Sequence, residues 1–246
     1  MVNYTFPGII TVRTKSKRLP NKCLKKFGKK TVIDHVIDRC IYYSIEPIVC
    51  TTTNTEDDIL EQISEKKNIK CFRGSELNKI KRWSDCVKRF NLSYFHSIDA
   101  DDPFFDGDEM KKSIDLLLNG RSDIIYPSNR SSKGLASVGY SMNSKAIHNL
   151  HDNFPEEIDT EFIWEFIGKS SQLKYEILPD DERADINLRL TLDYHEDYEM
   201  LTTLRKTVGE FASRDDIYKA YYENPAIAEI NWSKNKDFLI NQKREI

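Results

Sequence analysis

A dense run of basic residues follows the first apolar segment of the chain. Residues 9–12 are apolar enough for a buried strand, and a polar segment separates them from a helical pattern that begins at Thr31. That segment carries seven cations, namely Arg13, Lys15, Lys17, Arg18, Lys22, Lys25 and Lys26. Charge runs are usually solvated surface, but open α/β sheets bind ligands just beyond the carboxyl ends of their strands. The position therefore favours a polyanionic ligand such as a nucleoside triphosphate.

Four carboxylates lie within eight residues at the end of another apolar segment. Residues 92–98 read as a strand. The acids that follow it are Asp99, Asp101, Asp102 and Asp106. Clustered carboxylates repel one another unless a divalent cation or a set of hydrogen-bond donors compensates. A Mg²⁺ site is the simplest explanation, although Asp106 or Asp108 is also well placed to cap the next helix.

The spacing within the basic segment is itself specific. Arg13, Ser16, Arg18, Leu19, Pro20 and Lys22 give the pattern R-x-x-S-x-R-L-P-x-K. The G-x-x-x-x-G-K-[ST] spacing of a P-loop is absent, and no G-x-G-x-x-G follows the strand. The pattern closely resembles the signature loop of the cytidylyltransferases that make CMP-activated acidic sugars. Those enzymes include CMP-Kdo synthetase, CMP-sialic acid synthetase and the spore-coat polysaccharide cytidylyltransferases.

Three further blocks resemble the same family, in the same order along the chain. Residues 73–76 read R-G-S-E, with Arg82 downstream. Residues 100–103 match a G-D-x-P segment with alanine in place of the glycine, and residues 188–198 resemble R-L-T-V-D-x-x-E-D-F. Spore-coat-like relatives carry G-L-D-V-E where residues 134–139 lack both acids, so this segment leaves the acceptor open. The blocks together are far more specific than any one of them.

The resemblance implies a fold, a set of ligands and a reaction. The fold would be an α/β, Rossmann-like three-layer sandwich with a mainly parallel mixed sheet, of the nucleotide-diphospho-sugar transferase type. The phosphates of CTP would lie on Arg13, Ser16, Arg18 and Lys22, and its base and ribose near Arg73, Gly74, Ser75 and Arg82. Asp101 and Asp193 would hold Mg²⁺ or Mn²⁺, with Arg13, Lys22 and Asp101 as catalytic residues. CMP would pass to an acidic sugar or a related small acceptor, and pyrophosphate would leave.

Periodicity predicts the elements that would position these residues. Thr31 precedes a helical apolar pattern and has Asp34 three positions on, as in a capping box. Strands are predicted over residues 9–12, 47–52, 69–72, 92–98, 123–126, 173–178 and 188–193. The alternation of strands with helices indicates a mainly parallel sheet covered on both faces. We also expect an amphipathic helix over residues 156–167.

Bulk composition limits the class of protein. The chain has 246 residues, of which 39% are hydrophobic and 31% charged, and its net charge is −3. This length suits one α/β domain over residues 1–246. The composition is that of neither a disordered chain nor a general nucleic-acid binder. The five cysteines never form C-x-x-C, which predicts buried thiols in a reducing compartment. No apolar run approaches membrane-spanning length, so we expect a cytoplasmic protein. The resemblance also implies a homodimer, with a dimerisation arm within about residues 128–180.

Other functions fit part of the pattern. Asp99-Ala100-Asp101 matches the D-x-D of metal-dependent glycosyltransferases, which release a nucleoside diphosphate and have no need of the basic loop. A non-catalytic nucleotide-binding subunit would bind CTP without turning it over. A cytidylyltransferase that acts on a phosphonate or a phosphate monoester also remains open.

Overall fold

The computed structural model describes residues 5–128, 138–155, 157–180 and 186–244. Its strands are β1 (Phe6–Thr11), β2 (Lys26–Phe27), β3 (Lys30–Thr31), β4 (Ile45–Thr52), β5 (Lys70–Gly74), β6 (Tyr94–Asp99), β7 (Ile124–Tyr126), β8 (Ser141–Asn143) and β9 (Tyr175–Ile177). Seven of them form one sheet in the order β5-β4-β1-β6-β8-β7-β9, while β2 and β3 pair separately. Strand β8 runs antiparallel to β6 and β7, and the other neighbours in the sheet are parallel. The predicted mainly parallel mixed sheet is confirmed.

Helices pack on both faces of this sheet. They are α1 (Val32–Tyr42), α2 (Asp58–Lys66), α3 (Lys79–Phe90), α4 (Gly107–Leu118), α5 (Ser144–Asp152), α6 (Trp164–Ile167), α7 (His195–Val208), α8 (Arg214–Glu223) and α9 (Ala226–Arg244). Two predicted helix starts are confirmed. Thr31 and Asp34 form a capping box at α1, and Asp106 caps α4 by accepting hydrogen bonds from the N–H groups of Asp108 (3.0 Å) and Glu109 (3.2 Å). None of the helices in the described ranges is both long and apolar enough to cross a bilayer.

The carboxyl ends of the central strands lie side by side. In the register of the sheet, Thr11 of β1 pairs with Cys50 of β4 and with Asp99 of β6. Successive side chains of a strand point to opposite faces. Ile10 accordingly packs in the apolar cluster of α1 and α4, and Ile9 in that of α3 and α5. The basic loop after β1 and the acids after β6 therefore leave the sheet at the same edge.

The C-terminal helices form a further apolar layer beside this edge. Leu190, Leu201 and Ile217 are fully buried in it, and the same cluster includes Phe27 and Phe104 from the edge loops. Burial of apolar side chains is the main favourable term in folding. The layer therefore fixes the chain around residue 190 against the loops that follow β1 and β6.

The strand predicted over residues 188–193 is not formed. This segment is buried but joins no sheet, because Leu188 and Leu190 pack into the C-terminal layer instead. It meets the sheet edge through one backbone hydrogen bond, from the N–H of Leu192 to the carbonyl of Asp101 at 2.8 Å. The apolar alternation therefore indicated burial correctly, while the strand assignment was wrong.

The helix predicted over residues 156–167 is also wrong for most of its length. Among the described residues of that range, α6 alone is helical, and residues 157–163 are irregular. Thr160 gives the physical reason, because its N–H donates to the carbonyl of Leu77 (3.2 Å) and its hydroxyl accepts from the N–H of Ile80 (3.0 Å). These bonds to the start of α3 replace helical ones. Glu156 and residues 129–137, which include most of the expected acceptor segment, lie outside the described residues.

Candidate active site

The basic loop is anchored near its start, at Thr14. Thr14 donates to the Asp57 carboxylate from its N–H (2.8 Å) and its hydroxyl (2.7 Å). The hydroxyl of Thr52, at the end of β4, donates to the other oxygen of Asp57. Burial raises the pKa of Asp57, but these hydrogen bonds outweigh it and lower the pKa. Asp57 thus holds the loop against the sheet edge.

Lys22 joins the two aspartates that were predicted to hold a metal ion. Its Nζ lies 2.6 Å from Oδ2 of Asp101 and 3.1 Å from Oδ1 of Asp193. The side chain of Lys22 is buried, as is that of Asp193, while the Asp101 side chain is 37% exposed. Three residues far apart in sequence therefore meet at one point beyond the strand ends, with a positive charge between two negative ones.

Asp193 is held by a buried network on its other side. Arg189 donates to Oδ2 of Asp193 (3.1 Å) and to both carboxylate oxygens of Asp197 (2.9 and 3.1 Å). Asp197 also accepts from the N–H groups of Asp193 and Tyr194, at 2.9 Å each, and from the side chain of Asn231. Arg189 and Asp197 are fully buried. Arg189 begins the R-L-T-L-D block, which was the sequence signal for this network.

The electrostatic environment shifts the pKa values of Asp101 and Asp193 in opposite directions. Burial raises the pKa of Asp193, but the charges of Lys22, Arg18 and Arg189 outweigh it and lower this pKa to about 2. Burial also raises the pKa of Asp101, and the carboxylates of Asp193 and Asp99 add to that rise against the opposite effect of Lys22. Asp193 is thus the more firmly ionised member of the pair.

The other phosphate-binding candidates lie on the loop that carries Lys22. Arg18 donates to Oδ1 of Asp193 at 2.7 Å and lies over the ring of Tyr194. Ser16 is partly buried in the same loop. Arg13 pairs at 3.3 Å with Glu161, a residue for which the sequence gave no signal. Arg13, Ser16 and Arg18 lie on the loop that carries Lys22, and their contact with phosphates stays a prediction.

Glu161 brings a negative charge into a basic environment. Burial raises its pKa, but Lys79, Arg13, Arg82 and Lys22 outweigh burial and lower the pKa. Lys79, which sequence reasoning also missed, is buried at the start of α3 with its Nζ 3.5 Å from Asp99. The sequence signal for Lys79 is its position in the first turn of α3, a helix that begins close to the carboxyl edge of the sheet. Several charges near the site therefore already have partners within the protein.

The R-G-S-E segment lies at the end of β5. The side chain of Arg73 is committed to neighbouring groups, the carbonyls of Thr52 (3.0 Å) and Asn54 (2.7 Å) and the carboxylates of Asp58 (2.6 Å) and Glu61 (2.9 Å). Arg73 therefore braces the ends of β4 and β5 against the start of α2.

Arg82 holds the loop that follows this segment. It is buried and donates to the carbonyls of Ser75 and Glu76. Gly74 packs closely against Phe72 and Arg82. A Cβ atom at this position would lie 2.8 Å from the ring of Phe72 and 3.1 Å from Cγ of Arg82. Arg73 and Arg82 shape the loop, and contact of this segment with a base or ribose stays a prediction.

Three of the four clustered acids contact different groups. Asp99 faces Lys79, Asp101 faces Lys22, and Asp106 caps α4. Asp102 is buried, and burial together with Asp99 and Asp101 raises its pKa well above the usual range. The cluster as a whole is therefore not one metal site, and of the four it is Asp101 that shares a cation with Asp193.

The paired aspartates have the donor chemistry of a magnesium site. Within the described ranges, no group of three or more acidic, histidine or cysteine side chains is arranged to hold a metal ion. Mg²⁺ commonly takes one or two carboxylates together with substrate phosphates and waters. Asp101 and Asp193 direct carboxylate oxygens to one cation, the ammonium of Lys22. These two residues, with phosphate oxygens of a nucleotide, therefore fit Mg²⁺ or Mn²⁺.

A cavity of about 560 Å³ lies elsewhere, between α4, the start of α8 and residues 178–180. Its charged lining residues are Asp106, Asp108, Glu109, Asp115, Asp180 and Asp215, with Lys112 and Arg214. This mainly acidic lining opposes a nucleotide electrostatically. The basic edge of the sheet is therefore the better candidate for a nucleotide site.

Comparison with known proteins gives one family. A family model described as cytidylyltransferase matches residues 8–234. The spore coat polysaccharide biosynthesis protein SpsF of Bacillus subtilis is 28% identical over 216 residues, which cover 82% of this chain and 87% of that protein.

Solved structures agree with this result. A cytidylyltransferase from Leptospira borgpetersenii superposes with a TM-score of 0.80 and 26% identity, over 92% of this chain and 97% of that one. A CMP:2-keto-3-deoxy-manno-octonic acid synthetase complexed with CTP has a TM-score of 0.63 and 14% identity, over 82% of this chain and 99% of its own. Both share the sheet and helix arrangement described above, which confirms the predicted fold class.

Proposed function

The chain belongs to the cytidylyltransferase family, and we propose that it transfers CMP from CTP to an acidic sugar or a related small acceptor, with release of pyrophosphate. The observation that carries the proposal is the meeting of Lys22 with Asp101 and Asp193 beyond the strand ends. A cationic loop and paired carboxylates at one point suit a substrate that brings a triphosphate and a divalent cation together. The similarity to SpsF favours a role in surface polysaccharide biosynthesis.

The basic loop would bind the triphosphate. Arg13, Arg18 and Lys22 present cations on one short connection, and Ser16 adds a hydroxyl. An acceptor oxygen would attack the α-phosphorus in line, forming a new P–O bond while the bond to the bridging oxygen of pyrophosphate breaks. Negative charge then grows on the leaving pyrophosphate, and fixed cations stabilise that charge. The reaction needs no protein nucleophile. Lys22 and Arg13 take this part in the proposal.

Asp101 and Asp193 would hold Mg²⁺ or Mn²⁺. When bound, the ion supplies Lewis-acid polarisation of a phosphoryl oxygen. The carboxylate of Asp193 is suited to a ligand because its charge is maintained by three cationic side chains. Arg189 fixes the orientation of that carboxylate from within the protein. Asp101 is the more exposed of the two carboxylates.

The D-x-D alternative has less support from the geometry. A glycosyltransferase of that type would use both acids of the motif on one metal ion. Asp99 instead lies 3.5 Å from Lys79, while Asp101 shares Lys22 with Asp193. Pyrophosphate as the product, in place of a nucleoside diphosphate, would separate the two reactions.

The acceptor can be found by direct assay. The protein would be incubated with CTP, Mg²⁺ and single acceptors drawn from nonulosonic and octulosonic acids, other sugar acids, phosphonates and phosphate monoesters. We expect pyrophosphate release with one acceptor class and preference for CTP over ATP, GTP and UTP, because buried groups that pair with one base edge are left unpaired by another. Equal turnover with ATP, or CTP binding without turnover across the panel, would contradict the proposal.

We also propose a homodimer in which residues 128–180 contribute to the contact. Among the strands of the described residues, β9 is the outer one of the sheet, and its Tyr175 and Ile177 side chains are 58% and 47% exposed. An unpaired strand edge with apolar side chains is suited to association. Sedimentation should give a mass of two chains, and an Ile177→Lys variant should shift it towards one chain. A wild-type protein that sediments as one chain at all concentrations would contradict this arm.

A further inference from the structure

Both carboxylate oxygens of Asp193 are already occupied by protein cations. Oδ1 accepts from Arg18 at 2.7 Å and from Lys22 at 3.1 Å. Oδ2 accepts from Arg189 at 3.1 Å. Oδ1 therefore already accepts two donors, so a metal ion can bind this oxygen only if Arg18 or Lys22 leaves it.

The three donors differ in how freely they could leave. Arg189 is fully buried and tied through two further hydrogen bonds to Asp197, so its departure would strand a buried charge. Arg18 and Lys22 belong to the basic loop, where Arg18 is 37% exposed and Lys22 has a long flexible stem. Oδ1 is therefore the exchangeable oxygen of Asp193, and Oδ2 is the fixed one.

Lys22 alone of these donors also reaches the second aspartate. Its Nζ lies 2.6 Å from Asp101 while it keeps its contact with Asp193. The ammonium thus lies between the two carboxylates, where a divalent cation shared by both would have to lie. The close contacts leave no room for a metal ion and the ammonium at the same point.

We propose, on the basis of the proposed function, that Lys22 holds the place of the metal ion until the nucleotide arrives. In the nucleotide-free protein its ammonium compensates Asp101 and Asp193, which would otherwise repel each other. The phosphates of CTP attract Lys22, which opens a position on Oδ2 of Asp101 and on Oδ1 of Asp193, where Arg18 remains. Metal binding at the aspartates is thereby coupled to nucleotide binding, and each ligand promotes the other.

The test is a Mn²⁺ titration of the nucleotide-free protein. Lys22→Met keeps the length of the side chain and removes the charge. We therefore expect it to bind Mn²⁺ at least about fivefold more tightly than wild type, which is the lower end of the usual range of coupling between sites. Lys17→Met is the matched control, because Lys17 is an exposed cation of the same loop, and its Mn²⁺ affinity should equal that of wild type. Adding Asp193→Asn to Lys22→Met should abolish the gain.

Arg18→Met tests whether the position of Lys22 matters, or only the number of cations around Asp193. It removes one cation from the same oxygen of Asp193 but leaves Lys22 between the aspartates. We expect a smaller gain in Mn²⁺ affinity than with Lys22→Met. Unchanged affinity in Lys22→Met, or an equal gain in Arg18→Met, would overturn the proposal. The titration requires no turnover, so its failure is distinct from a failure to release pyrophosphate.

A measurement on the wild-type protein applies even if Lys22→Met does not fold. Crystals grown with Mn²⁺ alone should show no anomalous peak between Asp101 and Asp193. Crystals grown with Mn²⁺ and a CTP analogue that has a methylene bridge between its α- and β-phosphates should show one, with Nζ of Lys22 on a phosphate oxygen. A peak without nucleotide, or Lys22 still bridging both aspartates in the complex, would overturn the proposal.

Discussion

At the scale of single residues, the chemistry rests on cations with unequal surroundings. Lys22 is buried between two carboxylates, Arg18 is partly exposed on Asp193, and Arg13 pairs with Glu161. Lys17 lies exposed in the same loop. Charge count alone cannot distinguish these residues, whereas their contacts can, because a donor in a confined and partly dry site acts more strongly than one in water.

The cations with defined positions should matter most for the nucleotide. We expect Arg13→Ala and Lys22→Ala to lower kcat/KM by a factor of about 10²–10³, by analogy with other lost electrostatic donors. CTP affinity, measured by calorimetry, should fall as well. Lys17→Ala serves as the control and should change both quantities little. Three equal small effects would mean that the loop is ordinary solvated surface.

Arg189 gives a prediction about stability. Arg189→Met leaves Asp197 buried without its charged partner, so the free energy of unfolding should fall by about 3–5 kcal/mol. Arg189 also contacts Asp193, and Arg18 is a second, partly exposed partner of that residue. Arg18→Met should therefore lower the free energy of unfolding by less than about 1 kcal/mol. Urea titration of both variants makes the comparison. Equal losses would show that the Arg189 network contributes no more than a surface pair.

At the scale of elements, local chemical signals were predictable and partner choice was not. The caps at Thr31 and Asp106 depend on a few neighbouring residues, and both are confirmed. The segment 188–193 has an apolar alternation that suits a strand, but its partner is the C-terminal layer. The helix predicted across 156–167 is replaced by bonds from Thr160 to α3, a contact between residues 80 apart in sequence. Such non-local partners leave no periodic trace.

His35 shows how one helix holds the loop that carries Asp101. One ring nitrogen, Nε2, lies 2.9 Å from the carbonyl of Pro103, so the neutral ring donates there from α1. Burial, with the nearby charge of Arg39, lowers the pKa of His35 to about 3. The unfolded chain takes up a proton near its ordinary value of about 6.5. The stabilising contribution of neutral His35 is therefore complete above about pH 6.5 and is lost as the pH falls towards 3.

This linkage can be measured. Between pH 7 and pH 5 the free energy of unfolding should fall by about 2 kcal/mol on account of His35. His35→Gln retains a donor for Pro103 but does not titrate, so its stability should depend less on pH over this interval. Denaturant titrations at several pH values give both slopes. Identical slopes in the two proteins would contradict a buried neutral His35.

At the scale of the whole molecule, the site is assembled from three distant parts of the chain. The resemblance implied that Asp101 and Asp193 lie together, and both contact Lys22 beyond the strand ends. The route was different, because Asp193 reaches the edge on a buried segment held by helices and by the Leu192 bond to Asp101. The role of Lys22 as the bridge could not be predicted, because spacing along a loop does not fix where a flexible side chain ends.

The C-terminal layer should therefore support both stability and activity. Leu190 is fully buried in it, close to Asp193 in the chain. Leu190→Ala should lower the free energy of unfolding by about 2–5 kcal/mol, and turnover should fall because Asp193 loses its support. The exposed Leu118 offers a control of the same chemistry, for which Leu118→Ala should stay within about 0.5 kcal/mol. A Leu190→Ala protein as stable as wild type would contradict the structural role of this layer.

The central claim is that Asp101 and Asp193 hold a divalent cation for CMP transfer from CTP. Its most direct test is pyrophosphate release by wild type and by Asp193→Asn, with the accepted acceptor, in Mg²⁺ and in EDTA. Wild type should be active in Mg²⁺, inactive in EDTA and restored by Mg²⁺ or Mn²⁺, while Asp193→Asn should be slower by at least about 10² with its fold intact. Full activity of Asp193→Asn, or turnover by wild type in EDTA, would contradict the account.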